Sequence, residues 1–277
     1  MLAVVAGCGT LTGPRTGAIS PPTDALARWQ NFPADQNPRP IVLLSTDSPG
    51  QGFDSGDAKI AGLCQKFALS TRLPVVIPPP AVVTWLDGTN ATYPGAPAAE
   101  AFAALMKPGR GGSNSRCTTI APLPVTAVRL GAAGFMTDRG VAHIPAWLFR
   151  ATGAWAEFQW PAIIASAFWP GPFERSIGGG ATVSADGRLL TFGFVGGPPD
   201  GPCAEDYTGV VAESPHAVAV AVQSNPGRVQ GGPVACDLVG HLRSVTVRLA
   251  NPLGGRVLVD ASGAVVDACP EAIKGRC

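Results

Sequence analysis

Glu157 and Glu174 stand in the most aromatic part of the chain, with Trp160 and Trp169 between them. Two carboxylates beside aromatic rings are what glycoside hydrolysis requires: one protonates the leaving oxygen, the other acts as nucleophile or base. The same part can serve non-covalent recognition, because it holds four of the six tryptophans, Trp147, Trp155, Trp160 and Trp169. Packing in the core is the default for so many aromatics, and Trp155 and Trp160, in loop-like or short-strand context, are the best candidates for exposed ligand contacts. Phe168 or Trp169 is expected to be buried in a strand over 163–169.

Glu213 and His216, in a Glu-Ser-Pro-His turn, are the other acid/base candidates. His143 and His241 have no sequence neighbours that would make them a site. The chain has no G-x-S-x-G elbow and no H-E-x-x-H pair. The Gly-rich stretch 47–59 lacks the Gly-Lys-Ser/Thr of a phosphate loop. Its Asp47, Asp54 and Asp57 lack the alternation of a calcium loop, so it reads as a solvated loop. No metal and no cofactor are expected. With no catalytic signature, the expectation is a non-catalytic binding or structural role. The alternative is a glycosidase-like extracytoplasmic hydrolase using Glu157 and Glu174.

Seven cysteines leave one over after pairing. Val5-Ala6-Gly7-Cys8 matches a bacterial lipobox, in which the cysteine sulfur is acylated before cleavage, so Cys8 is the expected lipidation site. The remaining six can pair in fifteen ways. Sequence order favours Cys64 with Cys117, Cys203 with Cys236, and Cys269 with Cys277. No C-x-x-C pair is present, which argues against zinc.

The elements that must position these residues are mostly strands. Charged residues are 14% of the chain, with 35 Gly and 28 Pro, a balance that favours short strands and many turns over long amphipathic helices. The best-specified stretch is 125–149, a hairpin around an Asp138-Arg139-Gly140 turn. Val141, His143, Pro145 and Trp147 alternate with Ala142, Ile144, Ala146 and Leu148, so both of its faces are expected to be covered. Further strands are expected over 40–44, 66–70, 81–86, 181–184, 189–195, 207–213, 217–223, 244–249 and 257–260. The one expected helix lies near 97–107, where Ala98, Phe102, Leu105 and Met106 recur at helical spacing before Pro108-Gly109.

The Gly178-Gly179-Gly180 break divides the chain. Residues 1–24 read as a truncated signal with lipobox and a flexible tether. Residues 25–178 form a β-rich lobe with the helix, and 179–277 an antiparallel β lobe. The fold expected is mainly β, with antiparallel sheets of sandwich or partly open barrel type. A net charge of +1 without any basic run points away from nucleic acid.

Four segments, TDRGVAHIPAW at 137–147, SADGRLLTFGFVGG at 184–197, AESPHAVAVAV at 212–222 and VTVRLANPLGGRVLVDASG at 245–263, resemble a family of secreted proteins and lipoproteins from actinobacteria. The resemblance implies export and a β-rich fold with paired cysteines, and carries no catalytic residues. The expected place is the outer face of the cell membrane, held by the lipid on Cys8, with a protein or glycan as ligand.

Overall fold

A computed structural model, which describes residues 21–45, 52–107, 116–171, 173–226, 236 and 239–273, shows a mainly β chain. Cys8, Asp47 and Cys277 lie outside the described residues. The first half contains β1 (Leu43–Ser45), α1 (Gly56–Leu63), β2 (Phe67–Leu69), β3 (Ala81–Trp85), β4 (Asn90–Tyr93), α2 (Ala98–Leu105), α3 (Arg116–Thr119), β5 (Leu123–Thr137), β6 (Gly140–Ala151) and β7 (Phe158–Pro161). Their spine is the β5–β6 hairpin, antiparallel from Val125 opposite Ala151 to Thr137 opposite Gly140. Gly140 has φ +77°, a conformation most side chains resist, and this lets the chain reverse within one tight turn.

The hairpin is flanked differently at its two ends. Near the tip, β5 pairs with β1 and β6 with β3; near the base, β5 pairs in parallel with β2 and β6 with β7. This explains a departure from the sequence expectation. Ala142, Ile144, Ala146 and Leu148 are buried, but His143 on the opposite face is exposed, as are Leu130 and Ala132, which pair with Trp147 and Pro145 on that face. Alternation without charge looks covered on both faces, yet no apolar layer packs over the hairpin's middle on that side.

The expected helix is α2, which buries Ala98, Ala101, Phe102 and Leu105. The loop expected over 47–59 is instead helical from Gly56. Ser55 Oγ accepts the Ala58 N–H at 3.1 Å as an N-cap, and Asp57 sits in the positively polarised first turn. Only Ala58 and Ala61 mark the buried side, so the apolar period is too faint to read. The strand expected over 163–169 is a single 3-10 turn, Ala165–Ala167. The chain there meets Ile41 at one point, with Ile41 N–H donating to Ala167 O and Trp169 N–H to Ile41 O. Phe168 and Trp169 are both only partly buried.

The second half holds β8 (Ala181–Val183), β9 (Leu189–Gly196), β10 (Glu205–Glu213), β11 (Ala217–Pro226), β12 (His241–Arg248), β13 (Val257–Asp260) and β14 (Ala268–Pro270). They form a three-stranded sheet, β10-β11-β13, and a four-stranded sheet, β12-β9-β8-β14. Both are mixed, because β11 runs parallel to β13 and β14 parallel to β8. Leu190, Phe192, Phe194, Val245 and Val247 of one sheet pack on Val218, Val220 and Leu258 of the other, giving a sandwich. Thr246 and Arg248 stay in solvent on the far side of β12, as their alternation predicts.

The valine–alanine alternation of β11 has a second consequence. Its valines fill the sandwich, while Ala217 and Ala219 turn their small side chains outward, where Trp29, Phe32 and Val42 pack on them together with Val257 and Val259. A 3-10 helix, Thr23–Trp29, delivers the indole, so Thr23 and Asp24, expected as the end of the tether, are helical. Residues 25–42, counted with the first lobe on sequence order, therefore help build the second lobe's core.

Candidate functional site

Among the described residues, a candidate ligand surface lies at the base of the hairpin. After β6 ends at Ala151, a turn through Gly153, with φ +89°, brings the chain alongside residues 52–54. Asp54 N–H donates to Gly153 O at 3.1 Å and Trp155 N–H to Gly52 O at 2.9 Å, with a bridge between Phe53 and Ala154. This short pairing seats the Trp155 ring directly on Gly52, where a Cβ would collide with its six-membered ring. The indole N–H donates to Asp54 Oδ1 at 2.8 Å. One face of the ring is thus backed by main chain, and the side chain as a whole remains 66% exposed.

Two open clefts flank α1, and the first shares Gly52 with the seat of this ring. The first, about 400 Å³, is lined by Gly52, Phe53, Ser55, Gly56 and Lys59. The second, about 510 Å³, shares Ser55 and includes Asp57, Ala61, Arg116 and Leu123. Arg116 Nη2 pairs with Asp57 Oδ1 at 2.8 Å across the second cleft. α1 is fixed at its far end by a disulfide: Cys64, its C-cap, is bonded to Cys117 in α3, with Cα atoms 5.5 Å apart. Lys66 Nζ adds bonds to the carbonyls of Thr118 and Ile120 at 3.2 and 3.4 Å.

The other residues singled out in the sequence fall elsewhere. Trp160, expected to be exposed, lies in β7 opposite Trp147 and packs on the first lobe's core, because β7 adds to the hairpin edge. Trp147 is buried and its indole N–H donates to Ala96 O at 2.8 Å. Glu157 is gripped by both forks of Arg129, at 3.1 and 2.5 Å, and this bond raises the Arg129 guanidinium above its ordinary pKa. Glu174 is on the surface next to Phe173 and Arg175, where its carbonyl accepts the Val265 N–H and Arg175 bridges Val265. It therefore adjoins Phe173 and Val265 of the cluster around Trp29, while Glu157 adjoins Phe158 of the first lobe's core. Neither lines the two clefts.

Glu213 does not serve His216 either. Its carboxylate accepts the Ala250 N–H at 2.7 Å and Asn251 N–H at 3.4 Å, and pairs with Arg256 Nη1 at 2.8 Å. Burial pushes the acid's pKa up, but these donors outweigh it and hold Glu213 below its ordinary value. It clamps the 249–256 loop to the end of β10. His216 contributes its main chain: its N–H donates to Ser214 Oγ and its carbonyl accepts the Val257 N–H.

Cys203 is bonded to Cys236, Cα atoms 5.8 Å apart. Cys269 is also disulfide-bonded, and Cys277, its expected partner, lies outside the described residues, as does the lipidation site Cys8. Among the described residues no group of three or more His, Cys, Asp or Glu is placed to hold a metal ion. No described helix is long and apolar enough to cross a membrane.

Trp155 is exposed as expected, but Gly52 and Asp54 were not read as its partners, nor Lys59 as part of the neighbouring cleft. The signal was there: Ser55 followed by Gly56-Asp57-Ala58 is an N-cap with an acid in the first turn, which marks a helix start. No protein-family model, curated protein or solved structure matches the chain.

Proposed function

We propose that the protein is exported, held at the outer face of the cell membrane by a lipid on Cys8, and has a non-catalytic binding role. The observation that carries this reading is the Cys64–Cys117 disulfide, because it staples α1, the helix between both clefts and next to Trp155. Disulfides persist in oxidising compartments outside the cytosol. Here one of them stiffens the part of the surface best shaped to hold a ligand, which is the arrangement a binding protein uses to reduce the ordering cost of association. The resemblance to secreted proteins and lipoproteins points the same way.

The test is intact mass, with and without reduction, on protein produced in its native host. A diacylglyceryl increment on Cys8, together with paired cysteines elsewhere, is the expected result, and Cys8→Ser is expected to release the protein into the medium. An unmodified Cys8 with free thiols throughout would overturn the reading.

A further inference from the structure

Of the six tryptophans, five are used in building the fold. Trp29, Trp85 and Trp147 are buried, and Trp160 and Trp169 pack against core clusters. Trp155 alone is mostly in solvent, and its position is not loose. Its amide donates to Gly52 O, its indole N–H to Asp54 Oδ1, and its ring rests on the Gly52 main chain. A large aromatic ring held by two hydrogen bonds with its outer face open is already in the conformation a stacking ligand needs.

We propose that this outer face is the stacking platform of a saccharide-binding site. The inference rests on the chain being a binding protein and names the class of its ligand. One face of a pyranose presents C–H groups with partial positive charge, which match the negative face of the indole. The hydroxyls around the sugar need both donors and acceptors within reach. The adjoining cleft is lined by Ser55, whose hydroxyl accepts the helix cap bond and keeps its own proton to donate, and by Lys59, which supplies ammonium donors. Asp54 holds the indole through Oδ1, which leaves Oδ2 as an acceptor beside the ring.

The shape agrees. A volume of about 400 Å³ is in the lower part of the range for small-ligand sites, roughly 300–1,000 Å³. The cleft lies open along α1, so a glycan chain can pass across it without being enclosed. Other occupants fit less well. A nucleobase stacks equally well, but a strand would need a basic groove for its phosphates, and among the described residues Lys59 is the only cation in this lining. A membrane surface or a protein hot spot would extend the apolar contact beyond the ring, whereas the lining beside it is glycine, Ser55 and Lys59 with Phe53.

The experiment uses the full chain labelled with 5-fluorotryptophan and titrated with cellohexaose, chitohexaose, xylohexaose and mannohexaose, with a printed glycan array as a wider screen. Trp155→Phe assigns the resonance. The expected result is a saturable shift of that resonance by at least one saccharide, while the five other resonances hold still. Trp155→Ala is expected to weaken affinity at least tenfold, and Lys59→Met severalfold. Trp155→Phe, which keeps a smaller ring, is expected to retain part of the affinity and guards against a misfolded alanine variant.

A silent array together with silent titrations overturns the proposal, as does a shift of equal affinity in Trp155→Ala. Co-sedimentation with phosphatidylcholine–phosphatidylglycerol vesicles that depends on Trp155, with sugars silent, assigns the ring to a membrane and overturns it too. Failure of the anchoring reading is separable: saccharide binding by a chain whose Cys8 carries no lipid would refute the anchor alone.

Discussion

Arg39 and Asp138 form the most deeply buried ion pair among the described residues, with side chains 9% and 3% exposed, and removing either partner should unfold the molecule more readily than any surface change. The pair sits where three parts of the chain meet. Asp138 belongs to the hairpin turn, and its N–H donates to Val42 O and its carbonyl accepts the Ala268 N–H. Arg39 Nε donates to Gly255 O at 2.7 Å, and its guanidinium lies 4.8 Å from the Phe32 ring centroid. Asp138→Ala leaves a guanidinium out of water with one carbonyl and one ring as partners; Arg39→Met leaves a carboxylate almost fully buried. Breaking a buried pair from one side costs about 3–5 kcal/mol, because the remaining charge keeps its desolvation penalty.

For a chain of this size each kcal/mol corresponds to roughly 2–4 °C in melting temperature, so a drop on the order of 10 °C is expected for either single variant. The assay is thermal and urea unfolding followed by fluorescence. It is run at roughly 50 and 500 mM salt, because a buried pair is screened far less than an exposed one and the loss should persist. Arg39→Met with Asp138→Leu together should recover much of the loss, since no uncompensated charge remains. Arg116→Ala, which breaks the exposed pair with Asp57, should cost at most about 1 kcal/mol. Single losses of about 1 kcal/mol or less, or strict additivity in the double variant, would refute the reasoning.

Glu213 is held below its ordinary value near 4.5, so the folded state gains stability above that pH and loses it as pH falls through and below it; Glu213→Gln should lower stability at neutral pH and flatten its decline below about pH 4.5, and an unchanged acid profile would contradict the clamp. The Cys64–Cys117 bridge closes a separation of 53 residues, so its loss in a Cys64→Ser/Cys117→Ser chain should cost about 4 kcal/mol in the chain-entropy account, read as a lower denaturation midpoint of the variant against the oxidised parent.

Strands whose burial alternates in a simple way were legible. β12 shows Val245 and Val247 inside and Thr246 and Arg248 outside, and β11 shows its valines, as the sequence implies. What alternation could not tell is what covers the second face. The alanines of β11 look neutral in sequence, yet they are small because Trp29 packs on them from nearly two hundred residues away. The same blindness applies to the hairpin, whose largely apolar middle reads as covered on both faces and is open on the face of Leu130, Ala132 and His143. α1 escaped notice because its inner face is two alanines, and a helix marked by methyl groups alone carries almost no hydrophobic period. The site suffered most from this. Trp155 is conspicuous in any sequence, but Gly52, Asp54 and Lys59 are about a hundred residues away and acquire meaning only when residues 52–54 pair with 153–155.

The hairpin keeps the buried ion pair and the proposed binding surface far apart in one chain. β6 has 12 residues, and at about 3.3 Å per residue its ends are roughly 40 Å apart. The tip carries the Arg39–Asp138 pair and the contacts to the second lobe; the base carries β2, β7, the stapled α1 and Trp155. Perturbations so far apart with no shared partners combine additively. Asp138→Ala should therefore lower the melting temperature without altering the Trp155 site in molecules that remain folded. Conversely, an indole that is 66% exposed has little burial to lose, so Trp155→Ala should leave the melting temperature close to that of the parent. A ring that contributes so little to folding, yet is held by its backbone and by Asp54, is better explained by what it meets outside the molecule than by what it holds together within it.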